Sequence, residues 1–134
     1  MIINIFPDKE KVNSMMKLIE ERMEFLKTLE EKNKFSTMIA ENYYEIIKEL
    51  GTAMLIIKGK KTIGENAHKE IIEYLLKEKE INEEEADIIQ DLRIKRNKSL
   101  YEGKKIEEIY LENKKLELKQ IIEKLKRIIQ DRLT

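Results

Sequence analysis

Chain-breaking residues are nearly missing from this sequence. One proline, Pro7, and four glycines interrupt 134 residues. A proline inside a helix costs about 3 kcal/mol and a glycine about 1 kcal/mol relative to alanine. Their scarcity leaves long segments free to be helical, and the apolar residues recur at spacings of three and four, the period of a helix with one buried face. Charged residues make up 40% of the chain. Almost all are Lys, Glu and Arg, which suit the outer faces of such helices.

Five helices follow from this pattern. The first spans Asp8 to Glu31 with Val12, Met15, Ile19, Met23, Leu26 and Leu29 inward. The second runs from Ser36, read as its cap, to Lys58, with Met38, Ile39, Tyr43, Ile46, Ile47, Leu50, Met54 and Ile57 inward. Gly51 falls inside this helix, where a missing side chain lets another helix come close. Gly59 to Asn66 reads as a loop, and a short third helix covers Ala67 to Lys79. Asn82 followed by Glu83, Glu84 and Glu85 is a strong start for a fourth: asparagine caps free backbone N–H groups and the acids suit the positive end of the dipole. Gly103 is its expected left-handed stop. The fifth spans Ile106 to Leu133 with Ile109, Leu118, Ile121, Ile122, Leu125, Ile128 and Ile129 inward. Tyr110, Leu111 and Leu116 give it apolar residues on further sides, as a second contact surface needs.

No repeat, low-complexity stretch or linker divides the chain, and no alternating run supports a sheet. The expectation is one all-α domain over residues 1–134, an antiparallel up-and-down helical bundle of four main helices plus one short helix. Without cysteine there is no disulfide or thiolate metal site. No apolar run approaches the length of a membrane span, and Met1 to Pro7 lacks the basic flank of a signal peptide. A cytoplasmic location is expected, and the Ile, Lys and Glu richness resembles that of heat-adapted proteins. Equal numbers of basic and acidic residues, 27 of each, argue against a general charge-driven nucleic-acid binder.

Charge is nonetheless concentrated locally. Six basic residues and one acidic residue lie between Arg93 and Lys105. Acids at the start of the fourth helix and bases at its end complement the helix dipole, which accounts for the trend. It does not account for Arg96, which continues the apolar row of Ile89 and Leu92. Arginine is almost never fully buried without a partner. Arg96 therefore calls for a carboxylate, another subunit or an anionic ligand at the edge of the core. Its planar fork suits phosphate better than a lysine does.

Arg96-Asn97-Lys98-Ser99-Leu100-Tyr101 resembles the Arg-(four to six residues)-His motif of HEPN domains, in which Asn or Asp often follows the arginine. Tyr43 to Leu55 resembles the second helix of that family. A glycine-bearing loop, the pair His68-Lys69 and a short third helix then follow in the family's order. The resemblance covers most of the chain. It implies a helical homodimer that binds nucleotide or RNA phosphate through Arg96, with Arg93, Asn97 and Tyr101 around it. It also implies a minimal nucleotidyltransferase as partner in a toxin–antitoxin-like system, and no cofactor.

One departure bears on activity. The family's ribonucleases use arginine with histidine, and Tyr101 stands at the histidine position. An unperturbed tyrosine titrates near 10, so it is a poor general base. It can still donate a hydrogen bond or stack on a base. Two alternatives stay open: a metal-independent ribonuclease using Arg96 and Tyr101 as catalytic residues, or a structural subunit for helical dimerisation. Five residues of helix place Arg96 and Tyr101 about 140° apart, so a shared site calls for a distorted helix or a second subunit. Tyr101 otherwise reads as a half-buried anchor of the helix end.

His68, the single histidine, lacks companions for a metal site and reads as surface polarity or a hydrogen-bonding group beside the loop. Tyr43 and Tyr44 point to different sides of their helix, one to the core and one to an interface or the basic site. Lys58, Lys60 and Lys61 read as a solvated basic cluster.

Overall fold

The computed structural model describes residues 1–134 as an all-α helical bundle. In chain order the elements are β1 (Ile2–Asn4), α1 (Lys9–Glu31), α2 (Ser36–Ile57), β2 (Lys60–Thr62), α3 (Ala67–Lys77), α4 (Glu83–Glu102) and α5 (Glu108–Leu133). No helix is long and apolar enough to cross a membrane.

The second helix is the hub. It packs against the other four helices, and its sequence shows why: Ile39, Ala40, Tyr43, Tyr44, Ile46, Ile47, Leu50, Ala53, Met54, Leu55 and Ile56 are all buried. A helix apolar around most of its circumference must be wrapped on several sides. The other helices close around it with single stripes, such as Val12, Met16, Ile19 and Leu26 from α1 and Leu118, Ile121, Ile122, Leu125 and Ile129 from α5. Gly51 sits where α3 crosses: a Cβ there would lie 2.6 Å from Ile71 Cγ2. The glycine lets α3 approach α2 closely, as its position inside the helix suggests.

Helix ends follow the local chemistry. Asn82 and Glu85 form a reciprocal capping box at the start of α4, and Gly103 closes that helix in the left-handed conformation. Ser36 departs from its expected role as a cap. Left-handed Phe35 occupies that position, and the Ser36 hydroxyl instead donates to the Ile106 carbonyl at 2.8 Å. The Ile106 amide donates to Thr37 Oγ1 at 3.0 Å, so the connection between α4 and α5 is fastened to the start of α2.

Four expectations are corrected. A small antiparallel sheet exists, pairing Ile2 with Thr62, Ile3 with Lys61 and Asn4 with Lys60. Its three-residue strands are too short to show alternation, and main-chain bonds hold them, extended by Ile5 N–H to the Gly59 carbonyl at 2.9 Å. Met38 and Ile109, expected inward, are largely exposed, while Met16 and Leu111 are core. Near helix starts the stripe phase is read from few residues, and the neighbouring turn decides which side is covered. Both Tyr43 and Tyr44 are buried, at 0% and 1% exposure, and Tyr44 meets the basic site from within the core, beneath Arg96. The Tyr43 hydroxyl reaches out of the core to donate to Glu30 Oε2 at 2.9 Å. The third helix ends at Lys77, two residues early, because Lys79 adopts a positive φ of 60°.

Candidate functional site

The fourth helix presents Arg93, Arg96, Asn97 and Tyr101 toward the first turn of α3. Between them is a cleft of about 190 Å³, lined also by Gly64, Glu65, Asn66, Ala67, His68 and Lys69. All four α4 residues singled out from sequence therefore meet in one place. They do so within one chain and on a continuous helix, which corrects the expectation that Arg96 and Tyr101 need a distorted helix or a second subunit. Long side chains on adjacent helix faces converge on a neighbour that lies between them.

Arg96 is partly buried and has no carboxylate within 4 Å. Of the three partners its place in an apolar row calls for, the carboxylate is missing. Its guanidinium instead lies over the ring of Tyr44, with Cζ 5.2 Å from the ring centre. This stacking is worth about 1–2 kcal/mol when shielded from water, and it leaves the edge of the guanidinium fork free. The one polar contact of Arg96 within the protein is Nη1 to Asn97 Oδ1 at 3.3 Å. Arg93 is similar: its Nε donates to Gln90 Oε1 at 2.8 Å, and it too has no ion pair.

Other cations are handled differently. Lys48 is paired with Glu45 at 2.7 Å, Lys58 with Glu80 at 2.6 Å, and Lys124 with Glu85 at 2.7 Å. Lys60 donates to Asn4 Oδ1 at 2.5 Å. The basic cluster of Lys58, Lys60 and Lys61 is thus largely engaged elsewhere and does not line the cleft. Tyr101 is 77% exposed at the cleft, not a half-buried anchor.

His68 is the residue that sequence reasoning missed. It stands on the first turn of α3, its ring 6.4 Å from that of Tyr44. Tyr44 therefore touches both His68 and Arg96. Close packing of α3 on α2 at Gly51 places it there, and no local sequence signal reports a packing distance. Burial depresses the imidazole below its ordinary value of 6.5, and Lys48, Arg96 and Arg93 depress it further against the opposing Glu45. A proton on His68 is thus disfavoured in the folded state. Between the lowered value and 6.5 the unfolded chain binds more protons, so stability rises with pH there. Acidifying from pH 7.5 to 5.5 is expected to lower the urea midpoint, and His68→Gln should flatten that part of the dependence.

The Tyr44 hydroxyl is buried with no hydrogen-bond partner. Burial raises its titration point above 10, while Arg96 and Arg93 pull it down. A lone buried hydroxyl is costly, and removing it costs little. Tyr44→Phe keeps the ring under Arg96. It is expected to leave the stability unchanged or raise it by about 1 kcal/mol, read from urea unfolding. No three His, Cys, Asp or Glu side chains gather as a metal set.

The cleft has unpaired cations, a histidine held neutral and an exposed aromatic ring. That combination can hold an anion and stack a planar group. Comparison of the chain with protein-family models, with curated proteins and with solved structures gives no match in any of the three.

Proposed function

We propose that this protein is a HEPN-like module that binds nucleotide or RNA phosphate in the cleft between α3 and α4. The observation that carries this reading is Arg96: partly buried, stacked on Tyr44 and without a carboxylate. Placing a guanidinium at the edge of an apolar core costs free energy, and an anionic ligand offsets that cost. Arg93 and Lys69 add charge beside it, Asn97 adds an amide, and Tyr101 offers a face for a base. The test is fluorescence anisotropy of a labelled single-stranded RNA, and calorimetry with 5′-AMP, at low salt. Saturable binding that weakens with added salt is expected. No binding of either probe would end the reading.

A ribonuclease is the second reading, and the position of His68 favours it. Tyr101 is a poor base, but a neutral imidazole in the same cleft as Arg96 can accept a proton near neutral pH. Cleavage of single-stranded RNA in the presence of EDTA, lost in both Arg96→Ala and His68→Gln, would establish it. Binding without cleavage would leave the module non-enzymatic. Binding of neither RNA nor nucleotide would leave the structural subunit.

A homodimer belongs to the same proposal. Phe35, Met38 and Leu100 are exposed apolar side chains around one open hollow between the starts of α2 and the end of α4. Such a surface suits coverage by a second copy. Sedimentation of the wild type and of Leu100→Glu tests it, with a shift to monomer expected in the variant. Pairing with a minimal nucleotidyltransferase rests on the sequence resemblance alone. Its test is co-purification with such a protein encoded beside this one.

A further inference from the structure

The cleft has two walls, and only one of them is the arginine-bearing helix. The other is the first turn of α3. Ala67 N–H bonds to the Gly64 carbonyl and Glu70 N–H to the Asn66 carbonyl, but the amides of His68 and Lys69 have no acceptor. Asn66, at the capping position, makes no side-chain bond to them. Free amides at a helix start carry the positive end of the dipole and form a ready seat for an anion. Here the two residues that carry them, His68 and Lys69, line the same cleft as two arginines with no ion pair. Tyr44 does not line the cleft itself, but its buried ring lies beneath Arg96 and beside His68 and so supports both walls.

Charge selects the kind of anion. Lys69, Arg93 and Arg96 line the cleft against the single carboxylate of Glu65, a net charge of +2 while His68 is neutral. A phosphodiester inside a nucleic-acid chain carries one negative charge. A phosphomonoester carries between one and a half and two near neutral pH, and it has three free oxygens where the diester has two. Three oxygens can be shared among the arginine forks and the two amides at once.

We propose that the cleft is a receptor for a terminal phosphate, the phosphomonoester of a nucleotide or of an RNA end, held between Arg93 and Arg96 on one side and the His68 and Lys69 amides on the other. This rests on the phosphate-binding reading and narrows it from any phosphate to a monoester. His68 binds through its main-chain amide in this arrangement, while its imidazole flanks the seat. Tyr101 lies where the nucleoside leaves the cleft.

The test compares three probes by calorimetry at pH 7.5: adenosine, 5′-AMP and the internal diester of the dinucleotide ApA. AMP should bind at least about tenfold more tightly than ApA, which is about 1.4 kcal/mol, and adenosine should bind weakest. In parallel, the ¹H–¹⁵N resonances of His68 and Lys69 are followed during titration with AMP. Both amides should move downfield, and in Arg96→Ala the same shifts should need at least about tenfold more AMP. ApA binding as tightly as AMP would overturn the monoester assignment and leave the phosphate reading standing. AMP binding with unmoved His68 and Lys69 amides would overturn the helix-start seat alone. Adenosine binding as tightly as AMP, or no Arg96-dependent binding of any probe, would remove both the inference and the reading beneath it.

Discussion

Arg96→Ala should weaken binding of 5′-AMP or single-stranded RNA by roughly 10- to 150-fold, the equivalent of about 1.5–3 kcal/mol for lost hydrogen bonds to a charged group. The same change should lower stability by no more than about 1–2 kcal/mol, the worth of the stacking. Arg96 makes no ion pair whose partner would be stranded, and what it gives up is its stacking on Tyr44 and a long contact to Asn97. Truncating an arginine that had a buried carboxylate would instead leave that charge uncompensated and cost several kcal/mol of stability. Titration calorimetry beside urea unfolding separates the two cases. A drop in affinity with only a small fall in the urea midpoint is expected. A large loss of stability would mean that Arg96 serves the fold. Arg96→Lys should recover only part of the affinity, because a point charge cannot reproduce the fork or the stacking.

Gly51→Val should carry a large penalty for the fold. Even a Cβ at this position would lie 2.6 Å from Ile71 Cγ2 and 3.6 Å from Leu75 Cδ1. Ile71 is β-branched and buried, so it cannot swing aside, and α3 must move instead. Overpacking of this kind costs about 1–3 kcal/mol, and valine adds two methyl groups to the collision. For a chain of this length, about 3 kcal/mol lowers the midpoint of thermal unfolding by roughly 10–15 °C. Gly51→Ala should lose less, because better helix propensity returns about 1 kcal/mol. The change should also be felt at the cleft, since α3 brings His68 and its free amides to Arg96. Reduced affinity for 5′-AMP in Gly51→Ala, at a temperature where the protein stays folded, is the measurement that links the two.

The parts of the molecule visible in the sequence are those decided within a turn or two of chain. Asn82 with Glu85 and left-handed Gly103 bound α4 as their chemistry requires. The inward residues of α2 follow its periodicity apart from Met38. Arg96 stands out because it breaks a stripe, and the structure brings Arg93, Asn97 and Tyr101 into its cleft. What was hidden depends on distant segments. Ser36 looks like a cap until Ile106, 70 residues away, takes its hydroxyl. The strands of the small sheet are defined by each other and not by any pattern of their own. His68 is on the surface as its sequence context suggests, but its place beside Tyr44 depends on a glycine on another helix that sets how near α3 can come. Arg96 and Tyr101 line one cleft despite their angular separation on α4, because long side chains reach around the helix to a neighbour.

The bonds that fasten Ile106 to the start of α2 have a kinetic consequence. Connections between helices usually exchange their amide protons quickly, because they open without disturbing the core. Ile106 is 3% exposed, and its amide is held by Thr37 Oγ1. Its deuterium uptake should therefore lag far behind that of Lys104 and Lys105 beside it and approach the rate of the interior of α2. The segment that follows the arginine-bearing helix opens only when α2 does. Fraying from that side is opposed at Ile106, which ties the end of the arginine-bearing helix to the start of α2.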